Sequence, residues 1–217
     1  MTKELGLRER KKIKTRRTIS AAAMRLFVER GFENVSIAEV AEAAEVSKMT
    51  VFNYFGTKED LVFDRQDEVV HGPSRTVRTR PPGMSAVTAL RDAYLDDLRS
   101  RDPLVAFSEG IETFARLLDS SPALQARTRE IFERREAELA ATFAEEDRVG
   151  DGGLTARLVA GQVTAVHRVL FHESCRRLLD GQDPDEIAGR LAQAAQNAFD
   201  LLEAGIGKDY CVRREGE

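Results

Sequence analysis

Between positions 48 and 54 the chain carries Lys48, Met49, Thr50, Phe52, Asn53 and Tyr54: a base, a thioether, a hydroxyl, an amide and two aromatic rings. Those groups suit nucleic-acid reading. An ammonium donates to guanine O6 and N7, an amide pairs with adenine, and Met49 or Thr50 offers apolar contact to a thymine methyl. Asn53 also suits phosphate. The only enzyme-like run is His172-Glu173, which begins like a zinc-binding HExxH, but Arg176 stands where the second histidine belongs. His167 and His172 are five residues apart, off one helical face. The sequence has no Gly-rich phosphate loop and no nucleophile elbow. No metal, cofactor or catalytic residue is expected, and the enzyme reading is set aside.

Holding such a face at a groove takes a rigid helix, and three helix starts surround it. Ser36 with Glu39 forms a capping box, with Val35 and Val40 spaced as a hydrophobic staple. Ser47 is a second N-cap, flanked by Val46 and Val51, and Thr57 with Asp60 is a third. The first of these helices must end near Ala43, which leaves Ala44 to Val46 for the turn. Two short helices joined so tightly cross steeply, as in a helix-turn-helix. Ile37, Val40, Ala41, Ala44, Val46 and Val51 supply their shared core. Phe55 reads as core too, whereas Phe52 suits core or groove equally.

The run VSKMTVFNYFGTKEDL resembles the recognition helix and following helix start of the TetR family. Upstream, AAAMRLFVERGFENVSIAEVAEAAEVS is similar to that family's two preceding helices, including the Leu-Phe and Gly-Phe landmarks. The likeness runs from about Thr15 to Phe63 without a gap. Met49 departs from it, because the family often has Gly there. The resemblance implies that Ser36, Ser47, Lys48, Met49, Phe52, Asn53, Tyr54 and Lys58 occupy positions used on DNA. It also implies a dimer formed through the last two helices and a small-molecule pocket in the helical half. The stretch from about Pro103 to Leu202 resembles a TetR subgroup from high-GC bacteria that senses acyl or acyl-CoA-like molecules.

The net charge of −4 hides an asymmetry. Residues 1–62 hold 12 Lys/Arg against 9 Asp/Glu, and residues 63–217 hold 21 against 28. A polyanion is attracted to one end and repelled by the other. The run RERKKIKTRR at 8–17 has seven bases and one acid. Taken alone it reads equally well as a solvated arm. Placed before a helix-turn-helix it reads as a phosphate-contacting arm, with Lys14, Thr15 and Arg16 its nearest members. Ser36, Ser47, Tyr54 and Lys58 join them as phosphate candidates. No apolar run reaches the 18 or so residues a membrane span needs. A cytoplasmic protein is expected, nucleoid-associated when on DNA and without a membrane partner.

In chain order, the first helix is expected from about Ile13 to Arg30, stopped by a left-handed Gly31. Helix four starts after Thr57 and runs towards His71, where Gly72-Pro73 ends or kinks it. The stretch GPSRTVRTRPPG, 72–83, is the best linker; alternatively the helix resumes between its two proline breaks. Everything beyond reads as helix. Stripes run through Val87, Leu90, Tyr94, Leu95 and Leu98, then Leu104, Phe107, Ile111, Phe114 and Leu118, then Leu124, Ile131, Phe132, Leu139 and Phe143. From Leu154 to Leu179 the helix is apolar on more than one face, and Asp183-Pro184 caps the last one.

A helix with two apolar faces needs two partners. Leu158, Ala165, Val169, Leu191, Ala195, Ala198 and Leu202 are the candidates for a two-fold interface of four helices. A helix central to a monomeric bundle would show the same pattern. Tyr94, Phe107, Phe114, Phe132, His167, Arg168 and Phe171, with His172, are candidates to line an effector cavity, Arg168 pairing an anionic headgroup. The expected fold is all-α with about nine helices. It comprises an N-terminal three-helix DNA-binding domain, 10–62 with its helix-turn-helix at 36–55, and a C-terminal helical domain, 63–217, for ligand binding and dimerisation. The expected function is that of a homodimeric repressor released from two-fold symmetric double-stranded operator DNA by a small-molecule effector. A purely structural helical module is the rival; sequence-specific, salt-sensitive DNA binding separates the two.

Overall fold

The computed structural model describes residues 6–102, 110–146 and 151–207. Among them the chain is helical throughout, with no strand: α1 (Leu7–Arg30), α2 (Ile37–Ala43), α3 (Lys48–Tyr54), α4 (Gln66–Thr79), α5 (Ala86–Ser100), α6 (Ile111–Ser120), α7 (Pro122–Glu145), α8 (Leu154–Leu179) and α9 (Pro184–Leu202). Short helical turns sit at Glu59–Leu61 and Glu203–Gly207. The described residues divide into two compact units. One holds residues 6–66 together with Leu117–Arg127, and the other holds the rest.

In the first unit the expected caps form. Ser36 Oγ accepts from the Glu39 N–H while the Ser36 N–H donates to Glu39 Oε2 at 2.8 Å. The Ser36 N–H and the Ser36 hydroxyl, both donating to Glu39 Oε2, with Arg30 Nη2 at 2.7 Å from Oε1, hold the Glu39 carboxyl at about 2, well below its ordinary value. Ser47 Oγ accepts from the Thr50 N–H at 3.0 Å. Between the two helices Glu45 takes a left-handed φ of 54°. The Val46 N–H then reaches the Ala41 carbonyl and the Glu45 N–H the Glu42 carbonyl, closing α2 in a Schellman turn. Ile19, Ala23, Phe27, Phe32, Val35, Val40, Val51, Phe55 and Leu61 make the core.

Three expectations about helix ends are corrected. α1 begins at Leu7, six residues before Ile13, so the basic run lies on a helix. Gly31 has a φ of +82° but an extended ψ of 149°, a region glycine alone occupies readily. Thr57 and Asp60 cap each other reciprocally, yet only a single turn follows, and α4 is a separate helix starting at Gln66. α4 does not end at Gly72-Pro73 but continues to Thr79, so 72–79 is helix, as in the alternative, and not a linker. Without a Cβ, Gly72 relieves much of the clash that a proline imposes on its predecessor in a helix. Val70, Pro73, Ser74 and Val77 form one buried face at helical spacing, which offsets the hydrogen bond Pro73 cannot make. Two of the three arginines expected in a solvated connection are ion-paired instead: Arg80 with Glu146 at 2.6 Å and Arg78 with Glu145 at 3.0 Å.

Asp60 is the polar hub of the first unit. Its side chain accepts from Gln66 Nε2 at 2.8 Å, Arg127 Nη2 at 2.6 Å and the Thr57 N–H at 3.0 Å. Burial pushes the carboxyl up, but these donors and the Arg127 charge outweigh it, leaving its pKa below the ordinary value. A depressed folded-state pKa contributes stability above the unfolded value, about 3.9, and that contribution disappears as pH falls through the folded value. Asp60→Asn should therefore destabilise the protein by about 1.5–3 kcal/mol at pH 7. Denaturant melts of both proteins should converge as pH drops below about 4. A constant gap from pH 7 to 3 would mean that the Asp60 charge contributes nothing.

Candidate functional site

α3 is pinned by its inner side. Val51 within it and Phe55 at its C-cap are buried, and the Phe55 N–H bonds to the Val51 carbonyl. What remains outside is unusual for a small helix. Met49 is 67% and Phe52 52% exposed, flanked by exposed Lys48 and Asn53. Solvent gives no reason for a thioether and a phenyl ring to stand out beside a base and an amide, whereas a groove does. The structure thus brings Lys48, Met49, Phe52 and Asn53 to one exposed surface, with Thr50 and Tyr54 half-buried at its margin. Ser36 and Ser47, both exposed, mark the N-termini of α2 and α3.

Two of the sequence candidates turn inward. Arg16 donates from Nη1 to the Tyr54 carbonyl and from Nη2 to the Asp64 carbonyl, both at 2.9 Å, and stacks 4.5 Å from the Phe55 ring centre. Lys58 donates to the Phe32 carbonyl at 2.5 Å with its ammonium 4.2 Å from the Phe32 ring centre. Both charges are engaged within the domain. Lys14 is exposed and Thr15 half-buried on α1.

In the second unit, α5, α7, α8 and α9 bring together four of the effector candidates. Tyr94 and His167 lie 5.5 Å apart by ring centre, and Phe132 and Phe171 5.7 Å apart. Phe199, absent from the sequence set, adds a ring 5.4 Å from His167. Phe114 is half-buried, outside these ring pairs, and Phe107 lies outside the described residues. Arg168 is exposed, which corrects its assignment as the headgroup-pairing base. The arginine at this place is Arg135, which sequence reading missed. It stands four residues after Ile131 and four before Leu139, both buried, and a base in an apolar register was the available signal.

Arg135 Nη2 lies 2.8 Å from His167 Nδ1. An arginine only donates, so Nδ1 accepts and the imidazole proton sits on Nε2. Burial, then the Arg135 charge, drives the His167 pKa well below its ordinary value, so the ring is neutral at pH 7. Burial also brings Arg135 down to about 10, against the pull of Tyr94 and Asp97, which leaves it a cation at pH 7.

Of the interface candidates, Leu158 and Val169 are 58% and 62% exposed on α8, with Ala165 half-buried between them. On α9 Ala198 and Leu202 are half-buried. Leu191 and Ala195, however, are 2% and 0% exposed: they are core within the protomer, not interface, because α9 turns that stripe towards α5 and α8. Leu201, at 77% exposure, is the large apolar side chain on the outer face of α9 that sequence reading passed over.

A family model described as bacterial regulatory proteins, tetR family, matches residues 19–64. The chain is 30% identical over 215 residues to the HTH-type transcriptional regulator TcmR of Streptomyces glaucescens, covering 97% of this chain and 92% of that protein. Among solved structures it is similar to NalD, the secondary repressor of the MexAB-OprM multidrug efflux pump in Pseudomonas aeruginosa. That likeness has a TM-score of 0.53 and 22% identity over 85% of this chain and 96% of that one. It is also similar to the transcriptional regulator FadR of Bacillus subtilis in complex with stearoyl-CoA, with a TM-score of 0.50 and 18% identity over 87% and 98%. At these identities the two structures show the fold alone.

Proposed function

Because this chain belongs to the tetR family of bacterial regulatory proteins, whose members are DNA-binding transcriptional regulators, we propose that it is a homodimeric repressor released from its operator by a small molecule. Residues 10–62 would read DNA and residues 63–217 would bind effector and dimerise. The observation that carries the reading is the outward display of Lys48, Met49, Phe52 and Asn53 on a helix anchored by Val51. Lys48 reads a base edge, Met49 meets an apolar base edge, and Asn53 takes adenine or phosphate. Ser36, Ser47, Lys14, Thr15 and Tyr54 fix the register on phosphate.

The second copy is supported by α8, which has a buried face through Val159, Val163, His167 and Leu170 and an exposed apolar one through Leu154, Leu158 and Val169. Two-fold symmetry sets two recognition helices about 34–36 Å apart, one turn of duplex. Release works by population shift: the effector must bind the DNA-incompetent form better, and a coupling of about 1–3 kcal/mol changes operator affinity roughly 5–150-fold. Among the described residues no helix is long and apolar enough to cross a membrane. On this reading the protein works in the cytoplasm, on the nucleoid when bound.

The test is binding of the purified protein to DNA flanking its own gene, and to sites selected from random duplexes, at about 150 mM salt. Two-fold footprints with Kd between about 10 nM and 10 pM are expected. No preferred sequence in either experiment sinks the reading. In the same assay, neutralising Arg8, Arg10, Lys11 and Lys12, all exposed on α1, should weaken binding to every sequence and flatten the salt dependence. An unchanged slope would remove the basic arm from the interface.

A further inference from the structure

The second unit holds a cation with no counter-ion. Among the described residues no carboxylate comes within ion-pairing distance of Arg135, and Tyr94 and Asp97 act on it only through space. Its hydrogen-bond acceptor is a neutral imidazole, and its Nε is sealed from solvent with no partner. Leaving a buried guanidinium this way is costly, since a charge taken out of water needs an opposite charge and filled donors to recover what it loses. Other buried arginines here are served differently: Arg80 meets Glu146 at 2.6 Å, and Arg127 meets Asp60 at 2.6 Å.

The face of α8 that carries His167 has further unfilled polar capacity. Thr164 Oγ1 and Ser174 Oγ on α8 are buried and without a hydrogen-bond partner. Thr164, His167, Phe171 and Ser174 fall within an arc of about 80° on that helix. The rings of Tyr94 and Phe199 stand 5.5 and 5.4 Å from that of His167, and the ring of Phe132 stands 5.7 Å from that of Phe171. Burial dominates the electrostatics of the Arg135 guanidinium, although the residue as a whole is half-buried. An apolar, aromatic wall with a few convergent polar groups is the usual chemistry of a small-molecule site.

We infer that this place, between α5, α7 and α8, takes an organic acid whose anionic oxygens become the counter-ion of Arg135, with aromatic rings around its apolar body. The inference rests on the effector-released repressor reading and names the chemical class of that effector. A carboxylate fits the guanidinium with two parallel N–H···O bonds, which a neutral amide cannot reproduce. His167 stays neutral and holds the guanidinium in place through Nδ1.

The experiment uses the full-length protein and matched probes: aromatic carboxylates of one to four rings and straight-chain carboxylates of eight to sixteen carbons, each beside its primary amide. Melting temperature and operator binding are read on the same samples, for the wild type and for Arg135→Met. At a free concentration of about 100 Kd, an acid that fits should raise the wild-type melting temperature by roughly 5–10 °C. The corresponding amide should bind about 10–150-fold more weakly, and Arg135→Met should lose that preference. Without ligand, Arg135→Met should melt at or above the wild type, because it removes a charge that the protein leaves unpaired. Amides binding as tightly as acids, or a ligand-free Arg135→Met that melts well below the wild type while the conservative Arg135→Lys does not, would overturn the counter-ion assignment. Operator binding separates the two levels: a protein that binds its operator but shows either of those results loses only the acid assignment, whereas one that selects no operator loses the repressor reading beneath it.

Discussion

Replacing Leu158 and Val169 together by glutamate should turn the protein into folded monomers that no longer hold an operator. Both side chains are more than half exposed on the outer face of α8, so removing them takes nothing from the protomer's core. In a two-fold interface the same patch serves both subunits, so each change enters the contact twice and puts four unpaired charges into a desolvated surface. A monomer engages one half-site, so operator affinity should fall at least about 10³-fold, towards the non-specific level. Sedimentation should report the monomer and circular dichroism an unchanged helix content. Leu191→Glu and Ala195→Glu are the instructive contrast. They place a charge where the protomer is fully packed, so they should unfold it, and a loss of dimer in either would say nothing about the interface. Dimers that survive the Leu158/Val169 change with operator binding intact would move the contact elsewhere.

Lys48→Ala should weaken operator binding by roughly 30- to 10⁴-fold without lowering the melting temperature. Lys48 is exposed and sits at the first position of α3, where its loss costs the fold nothing. A base-reading contact is worth about 1–3 kcal/mol, and a two-fold complex makes it twice. The loss should be confined to operators carrying the base that Lys48 reads, with preference at one position of each half-site relaxed. An equal loss on all sequences, with a shallower salt dependence, would place Lys48 on phosphate instead.

The N-terminal unit was legible because its signals are local. A hydroxyl three residues before a glutamate decides a capping box within one turn, and α2 and α3 lie where Ser36 and Ser47 put them. α4 was misread because Gly72-Pro73 is a breaker by local rules, and only the burial of Val70, Pro73 and Val77 against distant residues overrides it. The inward turn of Arg16 and Lys58 was invisible for a similar reason. Their acceptors, the carbonyls of Tyr54, Asp64 and Phe32, are backbone groups brought near by the fold and leave no mark in the sequence. At the second site Tyr94, Phe132, His167 and Phe171 could be picked as aromatic members of apolar stripes. Arg135 was passed over because its neighbours Glu133, Arg134 and Glu136 are charged, and a base in such a run reads as solvent-facing until the helices close round it. The same limit explains Leu191 and Ala195, since periodicity shows that α8 and α9 have apolar faces but not which face is inward.

The reading head is not a contiguous piece of chain. Leu117–Arg127, the end of α6 and the start of α7, belongs to the same compact unit as residues up to 66, where Ser121 bonds Glu33 at 2.7 Å and Arg127 pairs with Asp60. Recombination at a single point after residue 66 would therefore exchange an incomplete head, matched with another protein's version of 117–127. Functional hybrids that carry this protein's operator preference need a second crossover around that insert, or co-selected changes at Glu33, Asp60, Gln66, Ser121 and Arg127. Those five positions are where a lineage that shuffled its DNA specificity would have to vary together.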